Sequence, residues 1–268
     1  PSGYRAPTPP GRFRTEVRDE DRYTPRLMEP PVPHVAVFDF GGVVVQWSMR
    51  ALLVEFFDDD AGLDHFLTHV LTPADNVRCD LGAPIAGVVG EIVERHPEHR
   101  VPLEAWRDRW IETIPGEIPG TAELIADLRA AGHPVLGLSN FSAETFPSCR
   151  AKYPIFEEFD DIVLSGEHGI GKPQPEIYHL LCERNRIGPS DAVFFDDSPG
   201  NVAGAHAIGM GAHLFTTAEQ ARLEGCGTTV AASGSWRPPF QQAYVRTSAF
   251  GTRFHPIHHV WKLHAGVD

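Results

Sequence analysis

The stretch His34-Val35-Ala36-Val37-Phe38-Asp39-Phe40-Gly41-Gly42-Val43 decides how this chain is read. A run of apolar, β-prone residues, Val35 to Phe38, stops at a carboxylate followed by two glycines. That pattern suits a strand buried on both faces of a parallel sheet and ending in a tight loop. The glycines let backbone amides come close to a ligand. Taken alone, an aspartate after a strand is more often a turn or cap residue than a catalyst.

Outward from that stretch, strands and helices alternate. Residues 121–131 place Leu124, Ile125 and Leu128 on one helical face and end at Gly132, after which Val135, Leu136 and Leu138 form a second apolar run. Ile162, Val163 and Leu164 make a third run, and Ile177, Leu180 and Leu181 another helical face. A fourth run goes from Ala192 to Phe195 and a fifth from Ala212 to Phe215. The alternation predicts an α/β fold, a Rossmann-like parallel sheet covered by helices and joined by right-handed crossovers.

Residues 49–118 do not follow the alternation. They offer helical stretches over 52–57, 63–71, 85–93 and 103–114, which a helical cap inserted after the first strand explains. The expected organisation is a core from 34–48 and 119–224, a cap from 49–118, a Pro-rich flexible lead over 1–33, and a tail over 225–268 that is an appended strand or disordered. In the tail His258 and His264 have the residue type of metal ligands, but clustered tail histidines are more often exposed or packed.

Composition narrows the partners. The 268 residues are 42% hydrophobic and 22% charged, enough to bury a full core. Lys and Arg number 23 against 36 Asp and Glu, and the net charge of −13 repels nucleic-acid backbones and anionic membranes. The clusters Arg12-Phe13-Arg14 and Arg107-Asp108-Arg109 read as solvated charge. No nucleic acid and no membrane is expected as a partner. Cys79, Cys149, Cys182 and Cys226 form no Cys-x-x-Cys pair, which argues against a zinc knuckle or a disulfide scaffold and suits a reducing compartment. No run approaches the ~18 apolar residues that span a bilayer, and the beginning lacks a signal-peptide core. The expected location is cytoplasmic.

Three further motifs follow Asp39 in order. Gly137-Leu138-Ser139-Asn140 puts a hydroxyl and small polar groups at the end of a strand, where they can bind a phosphoryl oxygen or cap a helix. Gly169-Ile170-Gly171-Lys172-Pro173 holds one lysine between glycines and a helix-starting proline, placed to neutralise a phosphate and an attacking carboxylate. Val193-Phe194-Phe195-Asp196-Asp197-Ser198-Pro199-Gly200-Asn201 ends a very apolar strand with adjacent carboxylates. Two such charges at a buried edge repel unless a cation compensates, so a hard divalent metal is the economical reading.

Together and in this order these residues resemble the haloacid dehalogenase-like (HAD) hydrolase superfamily over about residues 34–224. The wording Asp-Phe-Gly-Gly-Val, Leu-Ser-Asn, Gly-Lys-Pro-Gln-Pro-Glu-Ile-Tyr and Phe-Phe-Asp-Asp-Ser is similar to the branch of bacterial sugar-1-phosphate phosphatases and the epoxide hydrolase phosphatase domain. Cys79-Asp80-Leu81-Gly82 resembles that branch's acidic-x-Gly turn. The resemblance implies Asp39 as the nucleophile, Ser139 and Asn140 as the phosphate cradle, and Lys172 as the charge partner of Asp39 and the phosphate. It implies Mg2+ held by Asp39, the Gly41 carbonyl and Asp197, with Asp196 as a second acidic contributor and Asn201 at a position that is Asp or Asn in the family. The implied activity is a phosphatase acting on a small phosphorylated substrate, sugar phosphates among the candidates, through a phosphoaspartate.

The sequence departs from the family at one telling place. Many of its phosphatases carry a second Asp two positions after the nucleophile as general acid and base, and here that position is Gly41. His65, His69 and Asp80 are cap residues of the right chemistry, although each also reads as surface or structural. Gly41 equally suits a 2-haloacid dehalogenase, in which the same Asp attacks carbon, but Asp196-Asp197 argues against a metal-free site for an anionic substrate. A non-catalytic member keeping only the fold is the third reading. Specificity is expected from the cap, with Trp47, Trp106 and Trp110 as candidates for the entrance.

Overall fold

The computed structural model describes residues 35–225, together with Gly3, 253–255 and 260–262. The rest of the expected lead and most of the tail, including His258 and His264, lie outside the described residues.

All five expected strands are present: β1 (Val35–Phe38), β2 (Val135–Ser139), β3 (Asp161–Leu164), β4 (Ala192–Asp196) and β5 (Gly211–Leu214). They pair in parallel in the order β3-β2-β1-β4-β5. Phe38 stands opposite both Gly137 and Phe195, so the ends of the three central strands are level. Every residue of β1, β2 and β4 is buried. Alternate side chains enter opposite cores, as a period of two requires. Ala36, Phe38, Val193 and Phe195 join one cluster, while Val35, Val37, Ala192 and Phe194 join the other.

Helices cover both faces, and this is a Rossmann-like α/β fold. On one side α6 (Thr121–Ala130) brings Leu124, Ile125 and Leu128, and α7 (Phe146–Lys152) brings Phe146 and Cys149. On the other, α9 (Pro175–Asn185) brings Ile177, Tyr178 and Leu181, and α10 (Pro199–Ala207) brings Ala205. Each fully buried Leu, Ile or Phe contributes about 1.5–3 kcal/mol of transfer free energy. The short α8 (Ser165–His168) follows β3, and α11 (Ala218–Gly225) follows β5. A separate antiparallel pair, β6 (Arg253–His255) and β7 (Val260–Lys262), lies in the tail.

Between β1 and α6 the chain is helical: α1 (Met49–Leu53), α2 (Asp60–His69), α3 (Pro73–Asp80), α4 (Ile85–Arg95) and α5 (Arg100–Asp108). α4 buries Ile85, Val88, Val89 and Ile92, the three- and four-residue spacing of one helical face. The single helix expected over 103–114 is instead α5 followed by a 3-10 turn at Trp110–Thr113. The chain leaves and re-enters the sheet along two paired segments. Ile118 N–H donates to the Val44 carbonyl (2.8 Å), Gln46 N–H to Gly116 (2.8 Å) and Ser48 N–H to Thr113 (2.8 Å).

Candidate active site

Asp39 follows the last residue of β1, Ser139 closes β2, and Asp196 closes β4. The central strands are level, so these side chains meet at one carboxyl edge, where open α/β sheets bind ligands. Behind Asp39 the loop is tight: the Phe40 carbonyl accepts the N–H groups of Val43 (3.3 Å), Val44 (2.8 Å) and Val45 (2.9 Å). The Phe40 ring anchors it among Phe141, Phe146, Phe156 and Phe159, with centroids 4.8–6.4 Å away.

Lys172 reaches the same edge from the loop after α8. Its side chain is fully buried, with Nζ 2.7 Å from Asp39 Oδ1 and 2.7 Å from Asp196 Oδ2. Asp196 and Asp39 hold the ammonium charged more firmly than usual, although burial, the largest single influence, works against them. Asn140 fixes this loop: its Nδ2 donates to the Lys172 carbonyl (2.9 Å) and its Oδ1 accepts the Lys172 N–H (2.8 Å). The Asn140 side chain, expected from sequence at a phosphate, is thus engaged with the lysine's backbone.

Asp39 Oδ1 accepts from the Ser139 hydroxyl (2.8 Å), the Phe40 N–H (2.7 Å) and Lys172, while Oδ2 has no donor among the described residues. Asp196 is more fully engaged. Besides Lys172 it accepts the Ser198 N–H (2.8 Å) and both its oxygens face Asn201 Nδ2 at 3.0 Å. Tyr178 holds Asn201 in turn through its carbonyl (2.8 Å). Burial raises the Asp196 carboxyl to about 7, with Lys172 pulling it down and the Asp39 charge pushing it up.

Asp39, Asp196 and Asp197 each offer an oxygen within 4.8 Å of the others. Asp197 is an exposed residue, but its carboxylate turns in against Gly42, where φ is +77° and an added Cβ would stand 2.3 Å from Asp197 Oδ2. The bare glycine makes room for that carboxylate. Burial first and the Asp39 charge second raise Asp197 to about 6, with Lys172 opposing. Three carboxylates facing one ammonium leave an excess of negative charge. An all-oxygen donor set of this kind fits a hard divalent cation.

A cavity of about 220 Å³ opens beside this cluster, with Asp39, Gly41, Ser139 and Asn140 at one end. Its other walls are Val45, Trp47, Trp110, Ile114 and Phe141, closed by Pro73, Asn76, Val77 and Asp80 of α3. Trp47 and Trp110 therefore stand where the sequence suggested, whereas Trp106 is fully buried in the core. His65 and His69 stack on each other at 4.5 Å on the exposed side of α2 and do not line the cavity. Asp80 does line it, held by Asn76 Nδ2 at 2.7 Å. Its neighbour in the sequence motif, Cys79, is buried, free and pushed up to about 12 by that burial, so it is no nucleophile.

Known proteins bear on this geometry. Sesquiterpene phosphatase astK of Aspergillus oryzae is 32% identical over 108 residues, 38% of this chain and 55% of that protein. D-ribitol-5-phosphate phosphatase of Bacteroides thetaiotaomicron is 25% identical over 185 residues, covering 62% of this chain and 84% of that one. The matched part is between 9% and 55% of the first curated relatives. In fold, the chain is similar to a HAD family enzyme of B. thetaiotaomicron crystallised with magnesium and inorganic phosphate. That likeness has a TM-score of 0.55 at 20% identity, covering 69% of this chain and 95% of the other. The family model of the haloacid dehalogenase-like hydrolases matches residues 33–209. With its parallel sheet and its matched residues, the chain belongs to the haloacid dehalogenase-like hydrolases.

Proposed function

We propose that this hydrolase is a magnesium-dependent phosphomonoesterase that works through a phosphoaspartate on Asp39. The observation that carries the reading is the buried Lys172 ammonium, 2.7 Å from both Asp39 and Asp196, beside the third carboxylate of Asp197. A phosphoryl group brings negative charge to this edge, and its transfer depends on positioning and charge neutralisation. Asp39 Oδ2, which has no donor among the described residues, is the oxygen left to attack phosphorus or to take the metal. Lys172 neutralises the carboxylate and the incoming phosphoryl oxygens. Ser139, by turning its hydroxyl from Asp39 Oδ1 to a phosphoryl oxygen, and Asn140, through its backbone N–H, would form the phosphate cradle. Asp39, the Gly41 carbonyl and Asp197 would hold Mg2+, with Asp196 contributing charge from behind while it braces Lys172. The bound cation supplies further neutralisation of the phosphoryl oxygens.

The helical segment over 49–118 would act as the cap that shapes the leaving-group side. The walls there are chiefly aromatic and aliphatic, Trp47, Trp110, Ile114 and Val77 against Asn76 and Asp80, and they favour a leaving group with a substantial apolar part. The sesquiterpene phosphatase relative agrees with that reading, and the ribitol-5-phosphate phosphatase relative supports a polyol phosphate instead. We also place the protein in the cytoplasm. Free, buried Cys79, Cys149 and Cys182 suit a reducing compartment, and no helix among the described residues is long and apolar enough to cross a membrane.

The rival dehalogenase draws on Gly41, since carbon attack needs no acid there. Against it stand Asp196 and Asp197, which repel a substrate carboxylate. Phosphate release from a prenyl phosphate and from polyol and sugar phosphates, with and without Mg2+, tests the proposal, with halide release from a 2-haloacid in parallel. Metal-dependent phosphate release is the expected result. Metal-independent halide release with no phosphate would replace the phosphatase by the dehalogenase.

A further inference from the structure

We propose that Asp80, carried by the helical segment, is the general acid and base of this site in place of the carboxyl missing at Gly41. The inference rests on the phosphatase reading above. Asp80 ends α3 and lines the same cavity as Asp39, Gly41 and Ser139. Among the cavity-lining residues it is the one carboxyl outside the metal cluster. The other cap candidates fall away, because His65 and His69 are exposed on α2.

The position of Asp80 is fixed from several directions. Asn76 Nδ2 donates to Oδ2 at 2.7 Å, one helical turn earlier. The Ser142 backbone N–H, from the loop after β2, acts on the same carboxyl and favours its charged form. The Ser165 hydroxyl of α8 donates to the Asp80 backbone carbonyl. Two residues on, Gly82 has φ +98°, and a Cβ there would stand 3.0 Å from the Gly166 carbonyl. The Cys79-Asp80-Leu81-Gly82 turn is therefore packed directly on α8, which fixes the backbone from which Asp80 lines the cavity. Burial first and the Asp39 charge second push this carboxyl up to about 8, with the Ser142 N–H pulling the other way. At neutral pH it has a proton to give, which is the state a general acid needs.

The steps balance. An Asp39 oxygen forms a bond to phosphorus as the ester P–O bond breaks. The electron pair of that bond goes to the leaving oxygen, which takes the proton of Asp80 and departs as the alcohol. Asp80 is left as a carboxylate. Water then attacks phosphorus and gives its proton to Asp80, the acyl oxygen of Asp39 takes back its bonding pair, and inorganic phosphate leaves.

An acid role has a signature that a structural role lacks. Leaving alkoxides need a proton and acidic phenolates do not. We would compare kcat/KM of wild type and Asp80→Asn, each with Mg2+, on an alkyl phosphate and on p-nitrophenyl phosphate. The variant should lose about 10²–10⁴-fold on the alkyl ester and less than about tenfold on the aryl ester. Equal losses on both esters, or no loss on either, would overturn the proposal. A second measurement needs no variant. Across a series of phenyl phosphates wild-type kcat/KM should hardly change with phenol acidity, and a steep dependence would overturn the acid role even if Asp80→Asn fails to fold. Wild-type protein that releases phosphate from neither ester would instead remove the phosphatase reading itself.

Discussion

Replacing Lys172 by Met removes the one ammonium between two buried carboxylates. Nζ stands 2.7 Å from Asp39 Oδ1 and 2.7 Å from Asp196 Oδ2, with the lysine and Asp196 side chains both fully buried. Breaking a buried pair by deleting one partner leaves an uncompensated charge and costs about 3–5 kcal/mol. That cost depends on pH, and its sign follows from Asp196. Its carboxyl is already raised to about 7 by burial while Lys172 is present to pull it down. Without the lysine it rises further, so the folded variant binds a proton that the unfolded chain, titrating near 3.8, has released. A folded state that binds more protons loses stability as pH rises. The full loss of about 3–5 kcal/mol is therefore expected near pH 8 and a smaller one near pH 5.5, in urea titrations of metal-free protein. Turnover with Mg2+ should fall by well over tenfold, since a charge that stabilises the transition state is worth a few kcal/mol. A loss below about 1 kcal/mol that is the same at both pH values would refute this reasoning.

Two further outcomes follow from the same cluster. Gly42→Ala would force a Cβ to 2.3 Å from Asp197 Oδ2 at φ +77°, so the half-activating Mg2+ concentration should rise at least about tenfold, and an unchanged Mg2+ titration would contradict the placing of Asp197. In metal-free protein the raised carboxyls of Asp197, about 6, and Asp196, about 7, lower stability as pH climbs through those values, so Mg2+ should raise Tm more at pH 8 than at pH 5.5. No shift with Mg2+ at either pH would count against the metal site.

The sheet was legible because its strands are short, continuous apolar runs, and burial on both faces leaves that mark in any parallel sheet. Its edge was legible for a related reason, since Asp39, Ser139 and Asp196 each end such a run. Helices without an apolar stripe were not. α3 buries only Asp75 and Cys79, so no periodicity announces it, although Thr72-Pro73 and Asp75 carry a start signal, with Asp75 Oδ2 accepting the Thr72 N–H at 2.9 Å. α7 and α8, of 7 and 4 residues, are too short for a period to emerge. The expected helix over 103–114 breaks at Arg109, whose backbone leaves the helical region, and Trp106 turns into the core. Periodicity places a residue on a helix but does not say which wall of a distant cavity the helix forms. Asp80 therefore stood among several candidates until α3 was seen closing over Asp39. The engagement of Asn140 with the backbone of Lys172 was hidden for the same reason, as the two are 32 residues apart.

In the proposed reaction Asp39 forms the covalent bond to phosphorus. Wild-type protein with Mg2+ and a 32P-labelled phosphomonoester, quenched in acid during turnover, should carry label that alkali releases and that maps to the peptide containing Asp39. Splitting the reaction at an acyl phosphate is what nucleophilic catalysis by a carboxylate requires. Asp39→Asn, which keeps the size of the side chain and removes its charge, should fold, take up no label and lose nearly all turnover. Label on any other residue, or near-normal turnover by Asp39→Asn, would contradict the account.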